Sequence, residues 1–217
     1  MKLRLLALAA LAAAGQTLGC DPRGVSVGTE ELCVADAQLQ RAQETSTEPL
    51  STCAIIGENQ LTNAGFETPS VNCAGNYCQF PVGELGGWAT TSADQVIEVW
   101  RDGHMDVPSP EGSQFVELNA RAQDTLSQEV ASVPGQLMYW SLLHRGRNGL
   151  EEAEVRIGPP EATATQVVLR SDADAWYLYS GLYRVGEAEV VTRFELASLT
   201  RLAEGNLIDD VVFAPVD

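Results

Sequence analysis

From Ala54 onward the chain is a succession of short apolar or alternating runs, cut apart by Gly, Pro, Asn and Asp. The runs are Val96–Trp100, Gln114–Leu118, Leu126–Val130, Leu137–His144, Ala153–Ile157, Gln166–Leu169, Trp176–Tyr183, Val190–Leu196 and Leu207–Phe213. They have the length of strands, and the 3.6-residue period of helices is nearly absent beyond Ala54. Many short strands with turn residues between them predict an all-β sandwich. No internal repeat breaks it into smaller units. Side chains alternate along a strand, so Met138, Trp140, Leu142 and His144 share one face. That face is the better core face. Trp140 is then a packing residue, and His144 a buried histidine with its hydrogen bonds satisfied.

The first 53 residues are different. Lys2 and Arg4 precede a run of Leu and Ala from Leu5 to Ala14, and Gly19 precedes Cys20. Basic start, apolar centre and small residue at the cut predict an export signal over residues 1–19. The run is about half the ~20 residues that a membrane-spanning helix needs. A buried N-terminal helix is the competing reading, and the lack of polar positions at helical spacing argues against it. Residues 20–53 are mostly polar, with Gln43–Pro49 as the clearest linker-like stretch. They are expected to form a tether with a short helix around Glu31 to Gln43, leaving residues 54–217 as the domain.

Thr17-Leu18-Gly19-Cys20 resembles the lipobox of bacterial lipoproteins, which implies cleavage before Cys20 and a lipid on its sulfur. The family prefers Leu where Thr17 stands, and a plain secretory cut is the alternative. Asp21 resembles an inner-membrane retention signal. The five Cys of the chain favour the lipid, since an odd count in an exported protein needs an explanation. Setting Cys20 aside leaves Cys33, Cys53, Cys73 and Cys78, enough for two disulfides in an oxidising compartment. Proximity favours Cys33–Cys53 and Cys73–Cys78 among the three possible connectivities. With no CxxC pair, and His104 and His144 as the only histidines, a zinc site is poorly supported.

All 30 acidic residues follow Gly19, and removing Lys2 and Arg4 from the 13 basic residues leaves 11, all Arg, for a net charge of −19. That argues against a nucleic-acid partner, whose phosphates demand a basic face. It also argues against a basic helix lying on a membrane surface. It fits a soluble domain kept dispersed by self-repulsion, or one that turns carboxylates to cations.

The order of motifs carries a resemblance. Asn63-Ala64-Gly65-Phe66-Glu67-Thr68-Pro69 opens the domain and Gly87-Trp88 follows. Pro110-Glu111-Gly112-Ser113-Gln114-Phe115-Val116-Glu117-Leu118, the Gln128 strand, Pro134-Gly135-Gln136 and Ile208-Asp209-Asp210-Val211 complete the series. From Ile56 to Pro215 this resembles the galactose-binding-like jelly roll of bacterial carbohydrate-binding modules and cell-surface proteins. His144-Arg145-Gly146-Arg147-Asn148-Gly149 is similar to a subgroup from bacterial surface proteins of unassigned activity. The resemblance implies a structural calcium ion held by Glu67 and Asp209, with Asp210 as the fallback ligand and Asn63 offering a carbonyl. Calcium takes six to eight oxygens.

Sugar binding needs rings on which sugar faces stack, and a few polar groups that orient them. Trp100 with Arg101 and Asp102, where an apolar run meets a polar loop, is the foremost candidate. Arg145, Arg147 and Trp176 come next. If Trp176 to Tyr183 is one strand, Tyr177, Tyr179 and Tyr183 share a face and Trp176 points away. Trp88 is expected to plug the core. For each candidate the competing role is packing or a surface ion pair. No nucleophile elbow, zinc-protease motif or phosphate loop is present. Glu98 and Glu117 could serve as a glycosidase pair, but nothing in the sequence selects them. The expected function is therefore a non-enzymatic, exported, lipid-anchored glycan-binding module of the cell envelope. The alternative is a structural or adhesion module without a sugar site.

Overall fold

The computed structural model describes residues 31–32, 54–199 and 205–216. The expected leader, Cys20, the expected Cys33–Cys53 pairing and most of the expected tether lie outside the described residues. β1 (Glu31–Leu32) pairs antiparallel with β2 (Ala54–Ile55). The other strands are β3 (Tyr77–Pro81), β4 (Ala89–Thr90), β5 (Val96–Arg101), β6 (Gln114–Glu117), β7 (Thr125–Ala131) and β8 (Leu137–Arg145), then β9 (Glu151–Gly158), β10 (Ala164–Ser171), β11 (Tyr177–Arg184), β12 (Val191–Ser198) and β13 (Leu207–Pro215).

One sheet has the order β11-β8-β13-β6-β5-β3 and the other β10-β9-β12-β7-β4. From β6 to β13 the chain changes sheet at every connection but β9 to β10. The series β6-β13-β8-β11 therefore faces β7-β12-β9-β10, which is the strand order of a jelly roll. β3, β4 and β5 widen the two sheets. The expected all-β jelly-roll sandwich is the observed fold.

The alternation that marks the strands in sequence also fills the space between the sheets. Phe66, Trp88, Val116, Leu142, Phe194 and Phe213 are among the side chains fully buried there. Each contributes about 1.5–3 kcal/mol on leaving water. Trp88 plugs the core as expected, its indole Nε1 donating to the Asn63 carbonyl at 3.1 Å. Trp140 lies in the same core. Of the tyrosines, Tyr179 and Tyr183 pack against it, while Tyr177 is exposed.

His144 is wholly buried. The Asn206 Oδ1 lies 2.9 Å from its Nε2, and Ser171 Oγ lies 2.8 Å from its Nδ1. An amide oxygen only accepts, so Nε2–H donates to Asn206 and Nδ1 accepts from the Ser171 hydroxyl. Burial holds the imidazole neutral, pushing its pKa down to about 4.

The N-terminal part of the domain runs along β13. Ile56 bridges Val216, Gly57 N donates to Pro215 O at 2.9 Å, and Gln60 N to Phe213 O at 2.8 Å. Asn59 accepts from Phe213 N at 3.0 Å and donates to Val211 O at 2.8 Å, and Val211 N donates to Ala64 O at 3.2 Å. Glu31–Leu32, at the start of the expected short helix, is extended rather than helical, because its partners are the backbone groups of Ala54 and Ile55; residues 33–43 lie outside the described residues. β3 is an additional strand, and its Cys78 forms the expected disulfide with Cys73.

Candidate functional site

The outward face of the six-stranded sheet is where the candidates meet. Strand register sets Gln79 opposite Glu98, Glu98 opposite Glu117, Glu117 opposite Leu207, and Leu207 opposite Arg145. The neighbouring row sets Tyr77 opposite Trp100 and Trp100 opposite Phe115. Alternation along β5 and β6 thus turns two carboxyl groups and two aromatic rings to the same side.

Glu98 and Glu117 are almost wholly buried. Glu98 accepts from the Trp100 Nε1 at 2.8 Å and from the Gln79 Nε2 at 2.7 Å. Glu117 accepts from the Arg147 Nη1 at 2.8 Å and from the Gly205 N–H at 2.9 Å. Burial pushes the Glu117 carboxyl up to about 8, and its contact with Glu98 adds to the rise. Gly205 and Arg147 act the other way. At 1% side-chain exposure desolvation outweighs one guanidinium, so the Arg147 contact is a hydrogen bond to a carboxyl that keeps its proton near neutrality.

Arg147 is the pivot. Its guanidinium lies 5.0 Å from the Trp100 ring centroid, a cation–π distance. Its backbone N–H donates to Glu151 at 3.1 Å, and Glu151 also accepts from Asn148 N and Asn206 N. Arg147 Nη2 reaches the Met105 Sδ at 3.6 Å. His104 stands edge-on to Trp100 at 4.4 Å and tilts against Tyr77 at 5.4 Å. Burial lowers the His104 pKa, and Glu98 and Arg147 pull it in opposite directions.

Trp100 is only 1% exposed, so its ring is not an open platform. It sits in a second apolar cluster with Val107, Phe115 and Leu207, against which Trp176 packs. Trp176 meets Phe115 edge-on at 5.4 Å and donates to Pro108 O at 2.9 Å. Arg145 donates to Ala173 O. Asp102 accepts from Ser109 N at 2.8 Å, which fixes the loop after β5, and Arg101 is exposed at the strand end. Trp100, Arg145, Arg147 and Trp176 are therefore brought to one end of one sheet. Tyr77, 39% exposed, and His104 complete the patch as the surface that a ligand would meet.

The outward face of the five-stranded sheet has another character. Arg193 pairs with Glu129 at 2.5 Å and approaches Glu195 at 3.7 Å, while Arg156 pairs with Glu154 and Arg170 with Glu152. Phe194 is the one aromatic residue in these strands, and it faces the core. This face offers no ring for stacking.

The acidic group expected to hold calcium lies where β13 bulges, between Asp209 and Val212. Asp209 is fully buried, accepts from Asp210 N at 2.8 Å, and has the Ser109 Oγ at 3.5 Å. Burial pushes its carboxyl up to about 8, and the charges of Asp210 and Glu67 add to that. Asp210 is raised too, by burial and by Glu111. Glu67 accepts from Ser113 N at 2.8 Å, Gln114 N at 2.9 Å and Ser113 Oγ at 2.7 Å. The Asn63 carbonyl already accepts from Trp88 and Phe66. Among the described residues no three His, Cys, Asp or Glu side chains converge at metal-binding distance. Asp209 fits a cation as a hard oxygen ligand; most of the six to eight oxygens would have to be backbone carbonyls and water.

No protein-family model matches the chain, and no curated protein matches it in sequence. Solved structures resemble it in fold. TmCBM61 in complex with beta-1,4-galactotriose is 18% identical with a TM-score of 0.49, over 72% of this chain and 98% of that one. The CBM22-1 xylan-binding domain from Paenibacillus barcinonensis Xyn10C is 13% identical with a TM-score of 0.47, over 68% and 99%. A CBM4 structure is 15% identical with a TM-score of 0.42, over 71% and 99%. At these identities the likeness concerns the fold and says nothing of what this chain binds.

Proposed function

We propose that the domain is a non-enzymatic glycan-binding module, exported on residues 1–19 and held at the cell envelope by a lipid on Cys20. The observation that carries the sugar reading is the patch of Tyr77, His104 and Arg147 over Trp100. An exposed ring lies beside fixed hydrogen-bonding groups, the combination that stacking and orienting a sugar requires. Glu98 and Glu117 belong to its foundation. Both Glu98 oxygens are engaged, by Trp100 and Gln79, and Glu117 is buried, keeps its proton and accepts through one oxygen from Arg147 and Gly205, which leaves the pair poorly placed to attack a glycosidic bond.

A glycan array probed with the exported chain tests the reading. Binding that is lost in Tyr77→Ala while the thermal midpoint holds supports it. No binding to any glycan overturns it in favour of a structural or adhesion module, and turnover of a bound glycan overturns the non-enzymatic part. Mass spectrometry of the N-terminus tests the anchor: an unmodified Cys20, or cleavage elsewhere, overturns it.

Calcium at Asp209 is a second proposal. A cation there would offset the burial of Asp209 and its crowding by Asp210 and Glu67. Calorimetry should show a lower melting midpoint with a chelator, and an unchanged midpoint removes the proposal.

A further inference from the structure

The edge strands of the two sheets differ in how they are guarded. β3 is five residues long and closes on Pro81. β4 has two residues. β10 is broken by a register shift between Thr165 and Val167, and carries Arg170. Short length, proline, bulges and charge are the devices that keep an edge from pairing with another chain. β11 has no proline and no bulge, and its one charge stands at its last residue. Its eight residues pair one-to-one with β8 from Tyr177 opposite His144 to Arg184 opposite Leu137, without a shift. Its other edge is unpaired among the described residues. Arg184, the last residue, is its only charged side chain. Leu178 is 48% exposed on it.

The sequence of this strand is nearly symmetric. Tyr177-Leu178-Tyr179-Ser180-Gly181-Leu182-Tyr183 reads almost the same in either direction about Ser180. The mismatch, Tyr179 against Gly181, has a local cause. A Cβ at position 181 would lie 2.6 to 2.9 Å from the Trp140 indole. We propose that the free edge of β11 pairs antiparallel with the same strand of a second copy of this chain, about a two-fold axis at Ser180.

In that register Leu178 lies opposite Leu182 of the second copy, and Tyr177 opposite its Tyr183. Directly opposed residues of an antiparallel pair share a face, so the outward Leu residues meet across the junction. Leu182 already packs on the outward apolar cluster of Ile56, Tyr139 and Val212, and the pairing extends that cluster across both copies. A two-fold contact must be self-complementary, which the near-palindrome supplies. An unrelated extended peptide would require no such symmetry.

Sedimentation of the exported chain over a concentration series, with Leu178→Lys and two cysteine variants, tests this. The wild-type chain should form a dimer. Leu178→Lys, at an exposed position, should weaken it about tenfold, because the symmetric contact loses two cross-strand apolar pairs. Opposed Cα atoms stand about 4.5–5.5 Å apart, within disulfide range. Oxidised Ser180→Cys should therefore become a covalent dimer. Leu182→Cys should not, since its own counterpart lies four residues along, about 13 Å away. A chain that stays monomeric at every concentration overturns the proposal. So does a dimer that ignores Leu178→Lys and fails to crosslink through position 180.

Discussion

The Arg147 guanidinium rests on the Trp100 ring while its Nη1 donates to Oε1 of the Glu117 carboxyl, so one side chain closes an aromatic site and supplies a donor to a buried acid. Arg147→Ala removes both contacts. It takes one donor from a buried neutral carboxyl and the cation from the Trp100 ring, and a loss of about 1–3 kcal/mol is expected. Urea denaturation reads it directly. A loss below about 0.5 kcal/mol would mean that the pair is only a surface contact.

Glu117 also sets a pH dependence. Its carboxyl is raised from 4.5 to about 8 in the folded chain, so the native state keeps a proton that the unfolded state gives up. The stability it contributes is complete below about pH 4.5 and is lost as the pH rises toward 8. Glu117→Gln, which carries a neutral amide at every pH, should flatten this slope of the thermal midpoint. An unchanged slope would show that another group causes it.

His144 works in the opposite sense. Its pKa falls from 6.5 to about 4 on folding, so the unfolded state gains a proton first. Stability is complete above about pH 6.5 and declines as the pH falls toward 4. Nitrogen-15 spectra should show a neutral ring protonated on Nε2 at pH 5.5. A midpoint of its titration near 6.5 would contradict the buried arrangement.

Gly181→Ala is predicted to destabilise the fold by about 1–3 kcal/mol, since its methyl must displace the Trp140 indole. Near-ultraviolet circular dichroism would register the shifted ring. A neutral substitution would mean that Trp140 has room to move.

Much of the sandwich was legible because strand alternation is a local signal. Val96–Trp100 and Leu137–His144 fall within β5 and β8. β3 was not, because it ends in proline and its half-buried pattern covers only five residues. Trp100, Arg145, Arg147 and Trp176 could each be suspected singly. Glu98 and Glu117 could not be selected, because the register between β5 and β6 joins them and no single run contains it. A signal does exist in hindsight. Glu98-Val99-Trp100 and Phe115-Val116-Glu117 are mirror patterns, and hairpin pairing sets acid against acid and ring against ring. Tyr77 was hidden with its strand, and His104 sits in a loop that no periodicity describes.

The route by which the chain enters the domain has a mechanical consequence. Residues 56–64 bond along β13 from Val216 back to Val211. The antiparallel register carries the Tyr77–Trp100–Phe115 row to the level of Asp209, so about 20 Å of strand separates that row from the entry at Val216. Hydrogen bonds of antiparallel strands lie across the strand direction. Tension between a ligand on the patch and the N-terminal segment would run along β13, straining its bonds together in shear instead of opening them one at a time.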